Sequence, residues 1–150
     1  MPMDYVLTMN NENFTIFLDF DGVLHRKMNG TFEFVHNLIE VLNIYPNADV
    51  VISSSWRNTI HPQFFAEIFG VYSSRIVGVT PYLPTAIREN EILKYVRSHH
   101  IQKFIAIDDD CRNNQFSKTC PWLFKTNYFI GLNKVTTDYL LKFIYTYLSI

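Results

Sequence analysis

A chain of 150 residues, 48% apolar and 18% charged, has the material for one packed core and lacks the low hydrophobicity and high charge of a disordered segment. Its formal net charge of −1 provides no chain-wide electrostatic footprint for non-specific binding to nucleic acid. No apolar run approaches the ~20 residues that cross a bilayer, which excludes a transmembrane helix.

Short apolar runs alternate with stretches of helical periodicity. Phe14–Leu18 reads as a strand, Glu33–Ile44 as a helix, Ala48–Ile52 as a strand and Pro62–Phe69 as a helix. Arg88–Ser98 then reads as a helix, Lys103–Ile107 as a strand, Trp122–Lys125 as a short strand and Thr136–Leu148 as a closing helix. In Glu33–Ile44 the apolar Val35, Leu38, Ile39 and Leu42 form one stripe, and Pro46 stops the helix. Thr136 or Thr137 with Asp138 would cap the last one. Alternating βα units imply an α/β domain spanning 1–150, built on a parallel sheet with helices on both faces. That burial explains why Thr15-Ile16-Phe17-Leu18 and Val50-Val51-Ile52 are nearly continuous apolar runs.

Residues 1–13 lack the charged start and apolar middle of an export signal. The two cysteines, Cys111 and Cys120, have neither disulfide-framework nor metal-site spacing. A soluble, cytoplasmic protein with inert thiols is expected.

Open parallel sheets bind ligands at the carboxyl ends of their strands, so the polar residues that follow each apolar run carry the chemistry. Asp19 and Asp21 leave the first strand two residues apart and can face one small volume, and Gly22 allows a sharp turn or close backbone approach. Two close carboxylates at a buried strand end need a cation, and hard oxygen ligands suit Mg²⁺. A bare Asp-x-Asp-Gly is also a common strand end and turn. The run Phe104-Ile105-Ala106-Ile107 delivers a second group of acids, Asp108, Asp109 and Asp110, of which Asp110 is equally a solvated loop residue. Val50-Val51-Ile52 runs into Ser53, Ser54 and Ser55, whose hydroxyls and backbone N–H groups can bind a phosphate oxygen or cap the following turn. Ser53 is the better phosphate candidate. His25 and His36 have no partner at metal-ligand spacing, and Trp56 reads as packing.

Asp19-Phe20-Asp21-Gly22-Val23 resembles the first motif of the haloacid dehalogenase (HAD) superfamily, and the other motifs follow in order: Ser53 after the second strand, Arg88, then Asp108-Asp109. More narrowly, Ser53-Ser54-Ser55-Trp56-Arg57, Thr80-Pro81, Arg88-Glu89-Asn90-Glu91-Ile92 and Ile107-Asp108-Asp109 resemble the phosphatase domain of multidomain "Swiss Army knife" RNA repair proteins. The resemblance implies a three-layer αβα, Rossmann-like fold and a Mg²⁺-dependent phosphohydrolase. Asp19 would be the nucleophile and Asp21 the general acid–base. Ser53 and Arg88 would hold the phosphoryl oxygens, with Lys94 as the alternative cation. Mg²⁺ would bind Asp19, the backbone carbonyl of Asp21, and Asp108 or Asp109. Ser54, Arg57 and Lys94 are candidate substrate contacts.

The stretches from Gly22 to the end of the first helix and from Gly70 to Arg88 are too short for a folded cap domain. Capless members of this superfamily act on large substrates, so a terminal phosphate on a nucleotide or an RNA or DNA end is the leading substrate. A phosphoprotein or small metabolite is the alternative, and a non-catalytic binding module is the reading from another class.

Overall fold

The computed structural model describes residues 11–58 and 61–149. Of the stretch read for an export signal, residues 1–10 lie outside the described residues. Five strands form one sheet: β1 (Phe14–Leu18), β2 (Ala48–Ile52), β3 (Ile76–Val79), β4 (Phe104–Asp108) and β5 (Leu123–Lys125). Their order is β3-β2-β1-β4-β5 and every pairing is parallel. The helices are α1 (Val35–Ile44), α2 (Pro62–Phe69), α3 (Arg88–Ser98) and α4 (Lys134–Leu148), with 3₁₀ turns at Ser55–Asn58 and Gly70–Arg75.

Strand parity sorts the side chains into two cores. Ile16 and Leu18 of β1, Val50 and Ile52 of β2, and Ile105 and Ile107 of β4 point to one face, where Leu38 and Val41 of α1 and Leu140 and Ile144 of α4 cover them. Phe17, Val51 and Ala106 point to the other, against Ile92 and Tyr95 of α3 and Trp122. Each large side chain so enclosed contributes roughly 1.5–3 kcal/mol of burial. With both faces covered, the central strands have no polar alternation to display, as their sequences imply. The fold is the three-layer, Rossmann-like α/β arrangement expected from the motifs.

Three details depart from the sequence reading. The edge strand β3 has no counterpart in it, because Ile-Val-Gly-Val is short, half-exposed and interrupted by Gly78. A Cβ there would lie 2.4 Å from the Tyr95 hydroxyl, so any other residue would force Tyr95 to move. The last helix begins at Lys134, with Asn133 as its cap accepting from the Thr136 N–H. Thr137 is instead buried inside the first turn and donates its hydroxyl to the Asn133 carbonyl at 2.7 Å. The first helix starts at Val35, two residues later than its periodicity suggests.

The connection from β1 to α1 is residues 19–34, and that from β3 to α3 is residues 80–87. Among the described residues neither connection holds a folded unit that would form a cap over the carboxyl ends of the central strands.

Candidate active site

The register of the sheet assembles the site. Leu18 of β1 is level with Ile52 of β2 and Ile107 of β4, so the residues after them, Asp19, Ser53 and Asp108, leave three neighbouring strands at one edge. Backbone bonds hold this level: Asp19 N–H donates to the Ile107 carbonyl and Ser53 N–H to the Leu18 carbonyl, each at 3.0 Å. Asp19, Asp21, Arg88, Asp108 and Asp109 line one open cavity of about 360 Å³ there. Two larger cavities, of about 510 and 590 Å³, lie at the opposite strand ends and along β3, away from every acidic strand end. Chemistry, rather than size, marks the site.

Asp19, Asp108 and Asp109 are all buried, and one carboxylate oxygen from each lies within 4.8 Å of the others. Burial, then the neighbouring Asp108 and Asp109, raises the Asp19 carboxyl well above its usual range, although Arg88 opposes the shift. Asp109 is pushed up to about 7, by burial first and by Asp108 next. Its Oδ2 is a buried oxygen with no hydrogen-bond partner. Three crowded carboxylates, one with an unpaired buried oxygen, form a hard, all-oxygen donor set. The residues present fit a divalent cation such as Mg²⁺.

Arg88, the first residue of α3, is the cation built into the cluster. Its Nη1 donates to Asp108 Oδ2 at 3.0 Å and lies 3.6 Å from Asp19 Oδ1, and its Nε is 3.9 Å from Glu91 Oε1. Burial works against its charge, yet Asp19, Asp108 and Glu91 outweigh that and hold it above the usual arginine range. Its helix is anchored at this end, because the Gln115 side chain accepts from the Arg88 N–H and the Gln115 carbonyl from the Glu89 N–H.

Gly22 closes the turn after Asp21. It sits at φ 72°, and its carbonyl accepts the Thr126 hydroxyl at 2.7 Å, while Thr126 N–H donates to the Asp108 carbonyl. Thr126 thereby ties the first acidic loop to the strand that carries the second. Sequence reading passed over Thr126, which bears no motif; only its place just past β5 marks it as another strand-end residue.

The family described as the HAD domain in Swiss Army Knife RNA repair proteins matches residues 15–136. The chain belongs to that family. No curated protein and no solved structure matches it. A HAD domain implies a hydrolase, and the acidic cluster lies where the chain's own strand order puts a ligand site.

Within this HAD domain the candidate residues divide. Asp19, Asp21, Arg88, Asp108 and Asp109 converge on the cavity. Ser53 adjoins Asp19 on the next strand, and its hydroxyl is buried without a partner. Ser54 is buried and its hydroxyl accepts the Trp56 N–H at 3.2 Å, so it serves the 3₁₀ turn, whereas Ser55 lines the cavity. Arg57 does not reach the cavity. It is buried, donates to Glu91 at 3.0 Å and to the Ser53 and Ser54 carbonyls, and stacks 3.5 Å over Tyr82. Lys94 is exposed on α3 and lines the cavity along β3. Asp110 is buried and braces its loop by accepting the Gln115 N–H at 3.0 Å. Cys111, Arg112 and Tyr128 line the cavity mouth beside the acids. Among the described residues no helix is long and apolar enough to cross a membrane.

Proposed function

We propose that this HAD domain is a Mg²⁺-dependent phosphohydrolase that works through an aspartyl-phosphate on Asp19 and removes a terminal phosphate from a nucleotide or polynucleotide. The observation that carries the reading is the joint placement of a buried Asp19, the Arg88 guanidinium 3.6 Å from it, and Asp108 and Asp109 within 4.8 Å.

Asp19 attacks phosphorus in line, and the ester oxygen leaves with a proton from Asp21; water then attacks the aspartyl-phosphate, giving its proton back to Asp21. Arg88 and the Ser53 hydroxyl hold the phosphoryl oxygens, the guanidinium by its planar donor fork. Asp19, Asp108 and Asp109, with the Asp21 carbonyl that the family pattern adds, would hold Mg²⁺, which keeps the crowded carboxylates ionised and offsets the phosphate's charge. Arg57 and Glu91 act at one remove, linking the Ser53 turn to the helix that carries Arg88.

The uncapped connections support a bulky substrate, since an open cleft admits a phosphate attached to a long chain. That the family is described from RNA repair proteins supports a polynucleotide end as the substrate. Exposed Arg112 at the mouth is the cation placed to meet a neighbouring backbone phosphate. The test is a Mg²⁺-supported phosphatase screen over 3′- and 5′-phosphorylated oligonucleotides, mononucleotides, phosphopeptides and p-nitrophenyl phosphate. The oligonucleotide should have the highest kcat/KM, because remote contacts contribute to turnover. A mononucleotide that equals or exceeds it makes the protein a small-molecule nucleotidase instead.

A further inference from the structure

The Asp21 carboxylate is held through one oxygen. Its Oδ1 accepts from His25 Nε2 at 2.8 Å and from Trp56 Nε1 at 3.0 Å, while Oδ2 accepts no hydrogen bond among the described residues. Asp21 also lines the cavity. His25 is fully buried, with its ring edge-on to Phe32 at 4.8 Å and tilted against Trp56 at 5.8 Å. Among the described residues its second nitrogen, Nδ1, has no partner, and the one polar contact of this side chain is Asp21.

A buried polar atom without a partner destabilises a fold, and an apolar side chain of similar size would fill the same aromatic enclosure without that cost. Packing therefore does not account for a histidine here. Its bond to Asp21 does. Trp56 makes the second bond from the 3₁₀ turn that follows Ser53, so the two donors approach from different segments and fix the carboxylate in rotation.

We propose that His25 and Trp56 are positioning residues that pin Oδ1 of Asp21 so that Oδ2 carries and delivers the proton, an inference that rests on the reading of Asp21 as general acid–base. Both donors occupy Oδ1, which leaves Oδ2 as the oxygen open to exchange a proton with the substrate. In the first step that proton passes to the ester oxygen as its bond to phosphorus breaks and the Asp19–phosphorus bond forms. In the second, the attacking water's proton passes to Oδ2 as its oxygen bonds phosphorus and the Asp19 carboxylate departs.

Leaving-group dependence tests this, because an acid matters for an alkoxide and little for a nitrophenolate that departs as a stable anion. With Mg²⁺ present, kcat/KM is measured on an alkyl phosphate and on p-nitrophenyl phosphate for the full chain and for His25→Leu, His25→Gln, Trp56→Phe and Asp21→Asn, with the Tm of each. His25→Leu should melt no lower than wild type, lose about tenfold or more on the alkyl ester and no more than about threefold on the aryl ester. His25→Gln, which can present an N–H near the place of Nε2, should recover most of the loss. Trp56→Phe should show the same selectivity at smaller amplitude, and it carries the test if His25→Leu does not fold. Equal losses on both esters, or none on either, overturn the inference. Asp21→Asn separates the two levels of the claim. If it fails to discriminate between the esters, Asp21 is not the acid; if it discriminates and the His25 and Trp56 variants do not, only the positioning roles fall.

Discussion

A Cβ on Gly22 would stand 2.4 Å from Oδ2 of Asp109, the buried oxygen that has no hydrogen-bond partner among the described residues. The backbone of one acidic loop thus lies directly against the carboxylate of the other. Gly22→Ala would meet that carboxylate and strain a residue at φ 72°, at a backbone cost of about 1–2 kcal/mol. Activity should fall further than stability, by about tenfold or more, because Asp109 must shift. Chemical denaturation beside kcat/KM checks this, and a destabilised variant with unchanged kcat/KM would separate Asp109 from the chemistry.

Asp19→Asn should lose turnover entirely, because an amide keeps the shape of the side chain but is no phosphoryl acceptor. Its metal-free form should melt at or above the wild-type temperature, since it removes one of three crowded, buried carboxyls. Phosphatase assays paired with melts in EDTA decide this, and retained turnover ends the aspartyl-phosphate mechanism.

Asp109 titrates near 7 in the folded protein against an ordinary 3.8, with Asp19 and Asp108 raised as well. Between those values the folded state holds protons that the unfolded chain has released. The contribution to stability is therefore full below about pH 4 and is lost as pH rises toward 7. In EDTA, Asp109→Asn should lose less stability than wild type between those limits. Added Mg²⁺ should raise the wild-type Tm more at pH 8 than at pH 5, because binding needs ionised carboxylates. A Mg²⁺ effect independent of pH would remove these acids as ligands.

Arg57 and Glu91 form a buried ion pair, with Leu83 N–H also donating to Glu91 at 3.0 Å. Removing one partner strands the other charge, so Arg57→Ala or Glu91→Ala should cost about 3–5 kcal/mol in denaturant melts. The double variant should cost less than the sum of the two. Additive losses would mean that the pair is not coupled.

The alternation of strands and helices, the burial of the central strands on both faces and the acidic strand ends could be read in the sequence because they are local: apolar runs follow the period of their element, and in a parallel sheet chemistry gathers where those runs stop. Asp19, Ser53 and Asp108 each directly follow such a run. Strand β3 escaped because an edge strand is half-exposed and its glycine answers to Tyr95, a residue on another element. The division among the cations belongs to the tertiary structure as well. Arg88 occupies a motif place and Arg57 reads as a candidate substrate contact, yet only packing sends one guanidinium to Asp19 and Asp108 and the other to Glu91 and the Ser53 turn. His25 and Trp56 read as a stray histidine and a packing residue until the chain returns from β2 and brings both to the same oxygen of Asp21. Periodicity reports which face a residue occupies, but a hydrogen bond across more than thirty residues depends on where two separate turns stop in space.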